Sequence, residues 1–210
     1  YVIPEAKGYK DEDGIRMVRT PWSDEPVPFN EAAKMGTQKV IQDHSTIGIV
    51  ITTDGSITDL SREAYIEAEA EVIDELKELG KPFIVIVNSA NVNSASCSMV
   101  VEKLREKYGV PVLAMAVNKM SESDVHDILR EALYEFPVSE ININIPQWIA
   151  VLSDDHWLKQ SFNETIQKSM SSVDKLREVE NITQVLNENE YIDSSNIATI
   201  DTGEGVVNVD

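Results

Sequence analysis

Three short apolar runs constrain this chain more than any other feature. Thr46-Ile47-Gly48-Ile49-Val50-Ile51-Thr52, Phe83-Ile84-Val85-Ile86-Val87 and Val112 to Val117 are rich in β-branched residues and do not alternate with polar ones. Such runs are the mark of strands buried on both faces. A helical pattern follows each. Ser61 is placed to cap a helix whose buried stripe is Val72, Ile73, Leu76 and Leu79, ending at Gly80 before Pro82. Val100, Val101, Leu104 and Tyr108 line the next, ending at Gly109 before Pro111. Ser121 caps a third, with Asp124 three residues on, Val125, Ile128, Leu129, Ala132 and Leu133 on its face, and Pro137 as its stop. Strand and helix in strict alternation predict an α/β fold, a parallel sheet with right-handed crossovers and helices on both faces.

The flanks read differently. Residues 1–29 are polar and punctuated by Pro and Gly, which predicts an irregular stretch, and Asn30 is placed to cap a helix through about Asp43. After Pro137, Ile141-Asn142-Ile143-Asn144-Ile145 alternates as a half-exposed strand does. Ile166, Met170, Val173, Leu176, Val179, Ile182 and Leu186 predict one long amphipathic helix over 161–190, and residues 196–210 predict a hairpin with Gly203-Glu204-Gly205 near its tip. The expected division is a domain over 1–146 and a smaller α+β segment over 147–210. The opening Tyr1-Val2-Ile3-Pro4 lacks an initiator Met and reads as a piece of something longer.

Charge narrows the partners. Against 18 basic residues stand 37 acidic ones, a net −19, which disfavours nucleic acid and direct binding to anionic membranes. No apolar run approaches the roughly 20 residues of a membrane span. Cys97 is the single cysteine, so neither an intrachain disulfide nor a thiolate metal cluster is expected, which fits a reducing, cytoplasmic setting. His44, His126 and His156 lack metal-ligand spacing, and Asp11-Glu12-Asp13 lacks the other oxygens of a calcium loop, so no metal site is expected.

Ligands of open parallel sheets bind beyond the carboxyl ends of the strands. Thr52-Thr53-Asp54-Gly55, Asn88-Ser89-Ala90-Asn91 and Asn118-Lys119 place polar groups there, and ordinary polar turns would look the same. Thr52, Thr53, Asp54, Asn88, Ser89, Asn91 and Asn118 are therefore the candidate ligand-binding residues. There is no Walker A pattern, nucleophile elbow or dinucleotide fingerprint, and no catalytic residue is expected.

Longer stretches carry a family resemblance. Ala6-Lys7-Gly8-Tyr9, Arg16-Met17, Thr20-Pro21-Trp22, Glu25-Pro26, His44 to Gly55, Tyr65-Ile66-Glu67-Ala68-Glu69, Gly80-Lys81-Pro82-Phe83, Arg130 to Pro137 and His156-Trp157-Leu158 closely resemble the stage IV sporulation protein A family. These are self-assembling ATPases at the base of the bacterial endospore coat. The resemblance implies a P-loop NTPase-like fold related to translation-factor GTPases, with ATP and Mg²⁺ used by the longer protein. In that family the Walker A loop, switch-I threonines and Walker B aspartate precede the residue matching Tyr1, so this piece alone is expected to bind no cofactor and hydrolyse nothing. The implied partners are copies of itself in a homopolymer, coat-morphogenetic proteins and a small amphipathic membrane peptide, met mainly through regions beyond Asp210. The implied location is the mother-cell cytoplasm at the forespore surface.

Related GTPases carry Asn-Lys-x-Asp where this chain has Asn88-Ser89-Ala90-Asn91. The base-packing Lys and the guanine-reading Asp are both missing, which favours ATP over GTP. The related fold also sets the strand at Ile47–Thr52 beside the phosphate-loop strand, so its outer edge is expected to be open and to promote self-association. Two other readings remain: a non-enzymatic scaffold with a vestigial nucleotide rim, and a nucleoside-handling enzyme complete within these residues. The lack of a nucleophile–base pair disfavours the second.

Overall fold

The computed structural model describes residues 2–4, 6–11 and 14–210. Tyr1, Glu5, Glu12 and Asp13 lie outside the described residues, and with them most of the acidic triplet considered above. Two compact units divide the chain, residues 1–129 and 130–210.

The first unit opens with β1 (Lys10–Asp11), β2 (Gly14–Ile15), β3 (Met17–Thr20) and β4 (Ser23–Pro28), which form two antiparallel hairpins. The expected irregular stretch is thus partly strand. Val18 faces Val27 in the β3–β4 ladder, so Pro26 and Pro28 sit in a two-stranded ribbon that has an unpaired side to spare for them. Helix α1 (Phe29–Lys39) begins one residue before Asn30, with Pro28 as its N-cap, and widens into a π-turn over Val40–His44.

The three apolar runs become β5 (Gly48–Thr53), β6 (Phe83–Asn88) and β7 (Val112–Met115), parallel and in the order β5-β6-β7. The third run ends earlier than expected, because Val117–Lys119 turns into a 3₁₀ segment. Helices α2 (Glu63–Glu78) and α3 (Ala95–Tyr108) follow β5 and β6. Val50, Val85, Val87 and Val112 form one core with Ile73 and Leu76 of α2 and Val101 and Leu104 of α3. Alternation sends Ile84 and Ile86 to the opposite face, where both are buried. Their neighbours on β5 are not: Ile49 is 46% and Ile51 61% exposed. β5 pairs only with β6, so its outer edge is open among the described residues, as expected. Helix α4 (Glu122–Leu133) starts with the expected box, Ser121 N–H donating to Asp124 at 2.8 Å and Asp124 N–H to the Ser121 hydroxyl at 3.3 Å.

The second unit holds β8 (Glu140–Ile143), α5 (Gln147–Ala150), α6 (Trp157–Met170), α7 (Glu180–Asn187), β9 (Ile197–Asp201) and β10 (Val206–Val209). The hairpin predicted over 196–210 is β9 and β10, and β8 adds to β10 in parallel. The strand placed before a boundary near residue 146 therefore shares its sheet with the end of the chain. The single long helix is two helices. Val138 N–H donates to Asp174 C=O at 3.0 Å and Leu176 N–H to Phe136 C=O at 3.0 Å, so the segment between α6 and α7 bonds backbone outside any helix. Its apolar residues keep their stripe all the same: Val173, Leu176, Val179, Ile182 and Leu186 form one core with Val207 and Val209. No helix among the described residues is long and apolar enough to cross a membrane.

Candidate functional site

The carboxyl ends of β5, β6 and β7 bring the predicted polar loops to one rim, and Asp54 organises it. Its Oδ1 accepts the Ser56 hydroxyl at 2.5 Å and its Oδ2 the Ser89 hydroxyl at 2.7 Å. Each hydroxyl in turn accepts a backbone N–H of the loop after β6: Ser56 Oγ from Ala90 at 2.9 Å and Ser89 Oγ from Asn91 at 3.1 Å. One carboxylate thus fixes the 88–91 turn through two hydroxyl relays. Burial pushes the Asp54 carboxyl up, but the hydrogen bonds from Ser56 and Ser89 outweigh it and hold the group below the usual carboxylate range.

Asn88 ties in the third loop, its Oδ1 accepting the Val117 N–H at 3.0 Å. Thr53 Oγ1 accepts the Gly55 N–H at 3.1 Å. Thr52 Oγ1 accepts from Arg62 Nη1 at 3.2 Å, and Arg62 Nη2 donates to both oxygens of buried Glu69 at 2.8 and 2.7 Å. Thr52, Thr53, Asp54 and Ser89 are buried and Asn88 is half-buried. Of the seven predicted residues only Asn91 and Asn118 are exposed. The Asn91 Oδ1 accepts the Asn93 N–H at 3.2 Å, and its amide NH₂ can only donate.

Sequence reasoning missed Ser56, Arg62 and Glu69. Ser56 had a readable signal, since Asp54-x-Ser56 is the spacing of an Asx-turn, and its N–H reaches Asp54 Oδ1 at 3.0 Å. The Arg62–Glu69 pair spans a helix start and had none. Cys97 is in the first turn of α3, its N–H on the Ser94 cap at 3.1 Å, and its side chain is buried against Ser89. Burial raises its pKa, the Ser89 hydrogen bond lowers it and the Asp54 charge raises it, with a net shift upward, so it stays a thiol at neutral pH. Beside the rim a groove of ≈ 650 Å³ is lined by Asp54, Gly55, Arg62, Ser96, Met99 and Lys103. No cluster of three or more acidic, His or Cys side chains fit for a metal occurs among the described residues.

An open parallel sheet with its loops knitted at the carboxyl rim defines the class: an α/β domain with a three-stranded parallel sheet. The comparisons narrow this to a family. Residues 1–137 match the family model described as stage IV sporulation protein A, ATPase domain, and residues 138–210 match that of the middle domain. The chain is 52% identical over all 210 residues to stage IV sporulation protein A of Bacillus subtilis, 50% to that of Bacillus anthracis and 44% to that of Clostridioides difficile. Each match takes in the whole of this chain and 43% of the relative's length. The chain belongs to the stage IV sporulation protein A family. No solved structure matches it.

Proposed function

We propose that residues 1–137 are the base-side half of a P-loop NTPase-like ATPase domain in a protein that self-assembles during spore coat formation. The observation that carries this reading is the rim: one sheet edge gathers three loops, and of the seven predicted residues the two exposed ones are amides, Asn91 and Asn118. An amide both donates and accepts, so it suits the adenine edge, whereas guanine selection in related GTPases uses a carboxylate at the matching place. Asp54, Ser56, Ser89 and Asn88 position these loops without touching the ligand. The set fits a base and ribose and includes no phosphate-cradling Gly-rich loop, so the Lys, Mg²⁺ ligands and water-positioning groups of phosphoryl transfer belong to chain outside these residues. The residues present hold the base and keep the sheet rigid beneath it. The open β5 edge, with Ile49 and Ile51 exposed, supports association with further chain or further copies. Action in the mother-cell cytoplasm, at the forespore surface, belongs to the same proposal.

A second reading, a scaffold with a vestigial rim, draws on the way Asp54, Ser56, Ser89 and Asn88 satisfy one another. Calorimetric titration of this chain with ATP tests the first reading. Base and ribose contacts alone give millimolar affinity or weaker. Micromolar binding would place the phosphate site within these residues and overturn it.

A further inference from the structure

The second unit contains an apolar pocket of ≈ 320 Å³ that the nucleotide rim does not use. It opens where β8 and β10 run out, at Ile143, Ile145 and Val209, and buried Ile149 and Phe162 line it, so it is built into the core. Its mouth carries Trp148 and Tyr191, 55% and 47% exposed. Tyr191 is braced edge-on against Trp157, ring centroids 5.1 Å apart. Half-exposed aromatics around an apolar pocket are what binding surfaces use as anchors.

Two features define the occupant. Asp193 and Asp210 also line the pocket, and neither meets a cation among the described residues. Among the described residues the Asp210 carboxylate receives only a 3.5 Å hydrogen bond from Asn144 Nδ2. Two unneutralised carboxylates on an apolar mouth suit a group that is apolar in its body and cationic beside it. A second copy of a chain carrying −19 would bring more negative charge to the same place. The other feature is the β8 edge. Glu140 N–H donates to Gly205 C=O at 3.3 Å and Asn144 N–H to Val209 C=O at 2.8 Å, so the even-numbered residues face β10. Ile141 and Ile143 then direct their N–H and C=O to the other side, where no strand pairs with β8 among the described residues. Ile143 belongs both to that open edge and to the pocket lining.

We propose that β8 and this pocket bind an extended peptide segment of a partner protein. The segment adds as a strand along Ile141–Ile143, seats one bulky apolar side chain in the pocket, and sets an adjoining Lys or Arg against Asp193 and Asp210.

The test is calorimetric titration of the 210-residue chain with acetyl-Lys-Val-Phe-Val-Lys-amide, its Glu-flanked counterpart, and a version N-methylated at alternate backbone nitrogens. The lysine peptide is expected to bind in the micromolar range and the glutamate peptide at least about tenfold more weakly. Asp193→Asn with Asp210→Asn, two surface changes that leave the fold intact, should weaken the lysine peptide about fivefold and erase most of the flank preference. Trp148→Ala should weaken both peptides, and N-methylation should abolish binding. Four results would overturn the proposal: no binding at millimolar peptide, equal affinity for the two flanks, undiminished binding by the N-methylated peptide, or a chain dimer that Trp148→Ala dissolves.

Discussion

Residues 1–129 and 130–210 each build a three-stranded sheet, by opposite routes. In the first unit the central strands are apolar until their carboxyl ends, pair in parallel with a sequence neighbour, and share one core with α2 and α3, the helices that follow β5 and β6. In the second, strands alternate apolar and polar, and β8 pairs with a strand from the far end of the unit, Glu140 opposite Val206. The backbone of the first sheet is thus specified by local pattern. That of the second depends on a few long-range devices, which are individually more costly to lose.

Gly205 is the sharpest of these devices. At φ 72° it accepts both Ser139 and Glu140 N–H groups on its carbonyl, and a Cβ there would lie 2.8 Å from Ser139 Oγ and 3.0 Å from Pro137 C=O. Gly109, at φ 63°, ends α3 with open space around the same position. Gly205→Ala should cost about 3 kcal/mol, strain plus clash, and Gly109→Ala about 1 kcal/mol, strain alone. Urea unfolding of the two variants measures this, and equal losses would remove the contrast between the units.

Glu135 is the next largest. Its side chain is buried, Oε2 accepts from Lys175 at 2.7 Å, and Oε1 accepts from Arg177, so one carboxylate holds the segment that interrupts the expected long helix. Glu135→Gln removes the charge that Lys175 and Arg177 share, but Arg177 keeps Glu131 at 3.2 Å, and both cations are partly exposed and regain water. The expected loss is about 2 kcal/mol, below that of a fully buried pair. A loss under about 0.5 kcal/mol would show that the break between α6 and α7 is held by its apolar core alone.

Much of this was legible beforehand, for reasons that differ by region. β5, β6 and β7, the ends of α2 and α3 at Gly80 and Gly109, and the Ser121–Asp124 box all follow from local chemistry. The break in the 161–190 stripe was not legible, because Val173, Leu176 and Val179 keep helical spacing while Leu176 N–H bonds to Phe136 C=O and Asp174 C=O accepts from Val138 N–H. The β3–β4 ribbon was hidden by its prolines. At the rim, sequence located the loops but not the division of labour within them: Ser89 and Asn91 look alike in the chain, yet one is buried on Asp54 and the other is exposed.

That division gives a smaller, pH-dependent prediction. Asp54 has a folded pKa below its unfolded value of about 3.9. Its contribution to stability is therefore present above that value and is lost as pH falls through the folded pKa. Asp54→Asn should cost about 1 kcal/mol at neutral pH, from weakened hydroxyl relays, and should flatten the decline in stability below pH 4. An acid-unfolding profile superimposable on the parent's would mean that Ser56 and Ser89 hold the loop without the carboxylate.

The central claim, that the loop after β6 reads an adenine base through Asn91, has one direct measurement. In a protein extended upstream through the phosphate loop, the ratio of ATP to GTP hydrolysis is compared before and after Asn91→Asp. Position 89 is left untouched, because Ser89→Lys would drive an ammonium into the buried contact with Asp54 and unsettle the loop itself. The account predicts a shift toward GTP of about tenfold or more, since a carboxylate accepts from the N1–H and N2–H₂ of guanine and has no donor for N1 of adenine. An unchanged ratio in a variant that still hydrolyses ATP would show that Asn91 does not face the base.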